Sequence, residues 1–272
     1  QRLRSHLLSE PAVSVADAAA HMCAVQAQDF AAARWALGLR TGGTVTLSDV
    51  DSAFDRGDIV RAWTMRGTIH TLPARDLAWV LGITGERQDR QAAGARRLRG
   101  LDSDQLRRAE VVARAALSGG NRLTRAEMTE VFEAAGLEPA GQRGYHFLVA
   151  LSMRGIIAQG PVVARAGGLT REQYFVLAEE WITKAATPTD PLGEFFARFA
   201  AGHGPVDAAD FAWWSGLPIT VAREAAARAE KTAVPVVGVP TPADAAAPTS
   251  ETIALPSFDE YYLPYVDRSV LL

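Results

Sequence analysis

A single cysteine in 272 residues is too few for an internal disulfide or for a zinc cage built of thiolates. Cys23 lies in an apolar, alanine-rich stretch and reads as a small core residue, not a nucleophile. No uninterrupted apolar run approaches the about 18 residues of a membrane span, so no membrane partner is expected. No charged-then-apolar leader opens the chain, so no secretory signal is expected either. The chain starts at Gln1, and an initiating segment is expected to precede it. No glycine-rich phosphate loop and no His/Asp/Glu metal spacing stands out, so neither cofactor nor metal is expected. A cytoplasmic protein fits these absences best.

What is present is an ordinary globular composition, 48% hydrophobic and 22% charged. The length permits one large domain or two to three small ones. The formal net charge of -3 argues against a wholly basic nucleic-acid binder. It leaves room for a local basic face, because phosphate affinity depends on where the cations sit. Arg87, Arg90, Arg96, Arg97 and Arg99 fall close together, followed by Arg107 and Arg108. They read equally as a solvated helix face or as a phosphate-contacting one.

Ser14 and Asp17 mark a helix start, and a helix is expected over Val15–Ala24. A second follows over Phe30–Leu39, and a third from Thr46 through Phe54. Ile59–Thr71 reads as two short strands broken near Arg66-Gly67. Helices followed by a hairpin is the order of a winged helix-turn-helix. The order recurs: helices over Gln105–Leu117, Leu123–Phe132 (capped by Thr124 with Glu127) and Gly144–Arg154, then strands Ile156–Gly160 and Gln173–Leu177. A third copy places helices at Leu192–Ala201, Pro205–Trp214 and Pro218–Ala229, with strands at Val234–Val239 and Thr252–Leu255. The expected fold is therefore mainly α with small β-hairpins (α+β): tandem winged helix-turn-helix motifs around a concave cleft, then the start of a C-terminal β part. The expected units are 1–100, 101–188, 189–255 and 256–272. The apolar run ending at Leu272 has no cap or polar tail, and the chain is expected to continue beyond it.

Gln26 and Gln28 stand one residue apart after the first helix. On a helix they would point about 200° apart; on an extended backbone they share a face. There, each would offer a carbonyl oxygen and an amide group to one point, able to hold a water or a base edge. The competing reading is two polar residues at a helix end. Trp35, Trp63, Trp79, Trp213 and Trp214 read mainly as core, and His6, His21 and His203 as surface or helix-end residues. His146 sits on the second copy's recognition helix. Asp259 and Glu260 read either as a structural turn or as groups approaching the site.

Four segments in order resemble one family: Val25-Gln26-Ala27-Gln28, Met65-Arg66-Gly67-Thr68-Ile69-His70, the stretch Gly204–Gly216, and Phe258-Asp259-Glu260-Tyr261 with Asp267-Arg268-Ser269. It is the AlkZ-like winged-helix bacterial DNA glycosylases of the helix-turn-helix 42 superfamily. The resemblance implies hydrolysis of the N-glycosidic bond of N7-alkylguanine, interstrand crosslinks included. It implies three tandem winged helices around a DNA cleft. It carries the catalytic motif (Gln, aliphatic, Gln or Asp) onto Gln26, Ala27 and Gln28, with Ala27 smaller than the family's usual middle residue. A third-position Gln is similar to the branch linked to self-resistance against DNA-crosslinking natural products. Thr68 and His70 fall in a supporting role. Arg66, Arg90, Arg96, Arg97 and His146 are the candidate DNA contacts. The implied partner is double-stranded DNA carrying an alkylated or crosslinked guanine, met near the nucleoid by a monomeric protein. The alternative is a non-catalytic winged-helix transcription regulator. That reading calls for a dimerisation helix, which the sequence does not display.

Glutamine is not a useful base, and most hydrolytic sites use a carboxylate or histidine. An N7-alkylguanine is already cationic and departs as a neutral base. Its loss needs a water in place and a dipole facing the developing sugar cation, which amide carbonyls supply. Asp29 would face away from Gln28 on an extended segment and is not assigned as base.

Overall fold

A computed structural model describes residues 1–165, 170–231 and 252–269. In chain order its elements begin with α1 (Arg2–Ser5), α2 (Val15–His21), β1 (Val25–Gln26), α3 (Phe30–Leu39) and α4 (Leu47–Asp55). Next come β2 (Ile59–Met65), β3 (Thr68–Pro73), α5 (Leu77–Arg97), α6 (Ser103–Leu117), β4 (Arg122–Leu123), α7 (Arg125–Ala134) and α8 (Arg143–Met153). The remainder are β5 (Ile157–Val162), β6 (Gln173–Leu177), α9 (Ala178–Trp181), α10 (Pro191–His203), α11 (Ala208–Ser215) and α12 (Ile219–Lys231). The protein is thus mainly helical with antiparallel hairpins. It divides into two compact units: residues 1–50, 71–73 and 187–272, and residues 51–70 and 74–186.

The second unit contains a complete winged helix. Asp102 caps α6 and Thr124 caps α7, each in a reciprocal capping box, with Gln105 and Glu127 as the returning side chains. The short β4 pairs antiparallel with β6, which pairs in turn with β5, so the helices are closed by a three-stranded wing. A register shift between Gln159 and Val162 marks a bulge in β5. The wing sits on Phe132 and Phe147, whose ring centroids are 5.3 Å apart and which are both fully buried. β2 joins this sheet through β5, with Arg61 opposite Gln159. The β2–β3 loop has positive φ at both Arg66 (52°) and Gly67 (69°), as a two-residue hairpin turn of the type I′ class demands.

The first unit is built on α10–α12. Phe195, Phe199, Phe211 and Trp214 are fully buried, and their rings pack at centroid distances of 4.8 to 6.2 Å. Asp190 caps α10 with Pro191 at its first turn, and Asp207 caps α11 with Asp210 returning the bond. α10 lies close on the end of α2: a Cβ on Gly202 would stand 2.6 Å from the His21 carbonyl oxygen. Only glycine permits that approach.

Several sequence expectations are corrected. The first helix stops at His21, not Ala24, because the chain turns left-handed at Cys23. Thr252–Leu255 is not a strand, and no strand occurs among the described residues of 256–269. The expected strand Val234–Val239 lies outside the described residues. His6 and His203 do stand at helix ends, capping α1 and closing α10, but both are fully buried and not at the surface; Trp35 and Trp213 are more than half exposed instead of core. Among the described residues no helix is long and apolar enough to cross a membrane.

Candidate active site

The site begins where α2 ends. Met22 caps the helix, and Cys23 follows at φ 62°, the left-handed position that glycine usually takes after a helix. The Cys23 N–H reaches the Ala20 carbonyl at 3.3 Å and the Ala24 N–H reaches the Met22 carbonyl at 2.6 Å. A non-glycine residue held there stores about 1–3 kcal/mol of backbone strain. The turn delivers the chain into β1. Burial then alternates with the period of two of an extended chain: Val25 and Ala27 are fully buried, Gln26 is half-buried and Gln28 is exposed. The two amides therefore lie toward the accessible face and the two apolar residues toward the core. A larger residue at position 27 would have to fit a fully buried site.

The neighbouring acid is already engaged. Asp29 caps α3, its Oδ1 accepting the Ala31 and Ala32 N–H groups at 2.9 and 3.2 Å. That bond holds Phe30 at the helix start and commits the Oδ1 of this exposed residue to the cap.

Beneath β1 lies a carboxylate. The Gln26 backbone N–H donates to Glu260 Oε1 at 2.7 Å, and the Trp214 indole N–H donates to Glu260 Oε2 at 2.9 Å. Glu260 is 0% exposed, and His203 Nε2 lies 3.5 Å from the same Oε2. The adjacent Asp259 takes both arms of Arg40, at 2.7 and 2.9 Å, in an ion pair with both side chains buried. Arg40 also donates to the Ala36 carbonyl at 3.0 Å. Tyr265 donates to the His203 carbonyl at 2.7 Å, so its oxygen accepts from His6 Nε2 at 2.6 Å. Burial, then the nearby His203 and Arg40, holds the His6 pKa well below the ordinary histidine range, and burial raises that of Tyr265. A sequence-distant segment, Asp259–Tyr265, thereby braces β1 at Gln26.

Sequence reasoning singled out Asp259 and Glu260 without finding their partners, Arg40, Trp214 and the Gln26 amide. The available signal was two adjacent acids in an aromatic-rich segment that offers little water.

The other candidate residues lie in the second unit. Arg66 lies in the β2–β3 turn and Thr68 opens β3, where its hydroxyl donates to the Met65 carbonyl at 3.1 Å. The Gly67 N–H donates to Gln88 at 2.6 Å and ties the turn to α5. His70 is fully buried, with Nδ1 3.0 Å from the Thr64 hydroxyl across the hairpin. Arg90 is exposed and ion-paired with Glu86, and Arg97 is exposed. Arg96 is buried, held by the Asp89 carboxylate at 2.8 Å and the Asp89 carbonyl at 2.7 Å. His146 is buried on α8, and its pKa is lowered by burial and then by Arg99 and Arg96. The structure thus groups Gln26 with Gln28 in one unit, and Arg66 with Thr68 and Arg96 with His146 in the other.

The fold is that of a helical protein with winged-helix motifs, and β1 with the residues just after it carries two spaced amides. The chain belongs to the AlkZ-like DNA glycosylase family, whose model matches residues 19–272. Among solved structures it is similar to a Streptomyces sahachiroi DNA glycosylase AlkZ, with a TM-score of 0.66 at 20% identity. That match covers 83% of this chain and 62% of the other, so the chain spans less than two thirds of that relative. No curated protein matches the chain.

Proposed function

We propose that the protein is a monofunctional DNA glycosylase that hydrolyses the N-glycosidic bond of cationic N7-alkylguanine in duplex DNA, interstrand crosslinks included. Family membership over residues 19–272 supports the reaction class. The observation that carries the assignment is the segment Val25–Asp29: Gln26 half-buried at the end of β1, Gln28 exposed just past it, Val25 and Ala27 buried, and Asp29 Oδ1 committed to a helix cap. Gln26 and Gln28 are the catalytic pair. Their carbonyl dipoles orient the attacking water and face the positive charge that develops on the sugar. The base needs no general acid, because it departs neutral. Neutral lesions lack that advantage and are poor substrates.

Thr68 and His70 support the site, and Arg66, Arg90, Arg96, Arg97 and His146 contribute to DNA binding. A crosslinked base is tied to the opposite strand and cannot be flipped freely into a deep pocket, so such a substrate demands an open site. The cellular role that fits is repair near the nucleoid, including self-resistance to a DNA-alkylating natural product, by a monomer.

The test is base release from three duplexes carrying N7-methylguanine, an N7-linked interstrand crosslink, or uracil. Release of both cationic lesions but not uracil is expected. Release of the monoadduct alone restricts the substrate to monoadducts. No release from either, with salt-sensitive duplex binding intact, overturns the proposal.

A further inference from the structure

We infer that Glu260 is a positioning residue for the glutamine pair, acting through the backbone of Gln26 and not through the substrate. The inference rests on the glycosylase reading for its kinetic consequence and on the geometry for its physical one. Glu260 is completely buried, so it cannot meet a lesion or an attacking water directly. Yet one of its oxygens holds the amide of the residue that presents the first glutamine, at 2.7 Å, and the other holds an indole N–H at 2.9 Å.

β1 needs such a brace. It is two residues long and lies at the sheet edge beside β3, so only a short ladder holds it. Left-handed Cys23 stands just before it, and the N-cap of α3 lies just after it. A charged acceptor makes bonds roughly twice as strong as a neutral one, so a buried carboxylate is a firm anchor for one N–H. Its own position is set twice over. Trp214 holds its second oxygen, and neighbouring Asp259 is clamped bidentately by buried Arg40. Through Gln26 the anchor sets where the first amide stands, and the second follows two residues on, past the end of β1.

The chemistry of the anchor supplies a discriminating variant. A carboxylate accepts on both oxygens, whereas an amide accepts on one and donates from the other. Glu260→Gln can therefore satisfy the Gln26 N–H or the Trp214 N–H, but not both. Removing the competing donor with Trp214→Phe allows the amide oxygen to return to Gln26, its NH2 turned toward the space the indole N–H leaves. Rescue of a slow single variant by a second deletion is not expected of a residue that merely stabilises the fold. It is not expected either if the negative charge acts on the sugar cation, because the double variant stays neutral at position 260.

The experiment follows single-turnover release of N7-methylguanine and amide hydrogen exchange of Gln26 in the full chain. Wild type, Glu260→Gln, Trp214→Phe and the double variant are compared. The expected result is a roughly 10–100-fold slower reaction for Glu260→Gln, the usual scale for losing a group that orients a reactive one. Duplex affinity changes little, the Gln26 amide exchanges faster, and the double variant regains most of the lost rate and protection. Trp214→Phe alone keeps the Gln26 protection, which answers the case in which Glu260→Gln fails to fold. A wild-type rate or unchanged exchange in Glu260→Gln overturns the inference. So does a double variant that recovers protection but not rate, which would assign the effect to charge. Absence of base release by wild type overturns the glycosylase reading instead, and the exchange measurements still decide whether Glu260 holds β1.

Discussion

Charge is handled differently around β1 in the first unit and along the arginine-rich helices of the second. In the first, Arg40 and Asp259 are both buried and pair across more than two hundred residues of sequence, with buried Glu260 beside them. In the second, Arg90 pairs with Glu86 and Arg107 with Asp104, each within one helical turn and open to water. Arg96 with Asp89 is intermediate, the guanidinium buried and the carboxylate less so. Exposed pairs contribute at most about 1 kcal/mol and are easily exchanged for phosphate contacts. Buried charges cost far more to desolvate and persist only with near-complete partnering. The second unit thus keeps part of its arginine charge near solvent, where phosphates could compete for it. The first buries Arg40, Asp259 and Glu260 to fix a short strand, while its Arg4–Glu10 and Arg228–Glu224 pairs stay exposed.

The largest expected effect that separates these regimes is on stability. Arg40→Ala leaves Asp259 buried and unpaired and is expected to cost about 3–5 kcal/mol, against under about 1 kcal/mol for Arg90→Ala. Thermal or urea unfolding of the two variants checks this, and equal losses would erase the contrast. Close helix packing gives the next test. Added Cβ atoms would lie 2.6 Å from the His21 carbonyl oxygen at Gly202 and 2.5 Å from the Met153 carbonyl oxygen at Gly85. Backbone oxygens move only with their helices, so Gly202→Ala and Gly85→Ala are each expected to destabilise by about 1–3 kcal/mol. Gly94 has nothing within 4 Å of such an atom. Gly94→Ala is therefore expected to stabilise α5 by about 0.5–1 kcal/mol through helix propensity.

The smallest effect is on pH dependence. His6 titrates well below its ordinary range in the folded protein because of burial, so as pH falls the unfolded chain takes up its proton first. Its contribution is fully present above the unfolded pKa of about 6.5 and is lost below it, at up to about 1.4 kcal/mol per pH unit. His21, lowered chiefly by burial, adds in the same direction. Urea midpoints recorded from pH 7 to 5 should fall, and His6→Gln should reduce the slope. An unchanged slope would remove His6 from the acid sensitivity of the first unit.

Helices and turns were legible in the sequence because their signals are local. Thr124 with Glu127 announced a capping box that is present in the structure, and Arg66-Gly67 announced the hairpin turn. The end of α2 was misplaced because no glycine or proline marks it; Cys23 takes the left-handed position instead. His6 and His203 were legible as helix-end residues but not as buried ones, because local sequence does not reveal the distant Tyr265 that bonds them. The same holds for the candidate site. Gln26 and Gln28 were visible as a spaced pair, whereas their brace arrives from Glu260, 234 positions away. Trp35 lies outward on α3, its indole N–H donating to the Ala254 carbonyl at 3.1 Å, which a pattern of apolar residues cannot separate from core.

The most direct measurement is the single-turnover rate of N7-methylguanine release by wild type, Gln26→Ala and Gln28→Ala, with duplex affinity recorded in parallel. Losing a preorganised dipole at a site of developing charge costs about 100–1,000-fold, so each variant should fall by that order while its affinity holds. Wild-type rates in both variants would contradict the assignment of the glutamines and place the chemistry elsewhere in the protein.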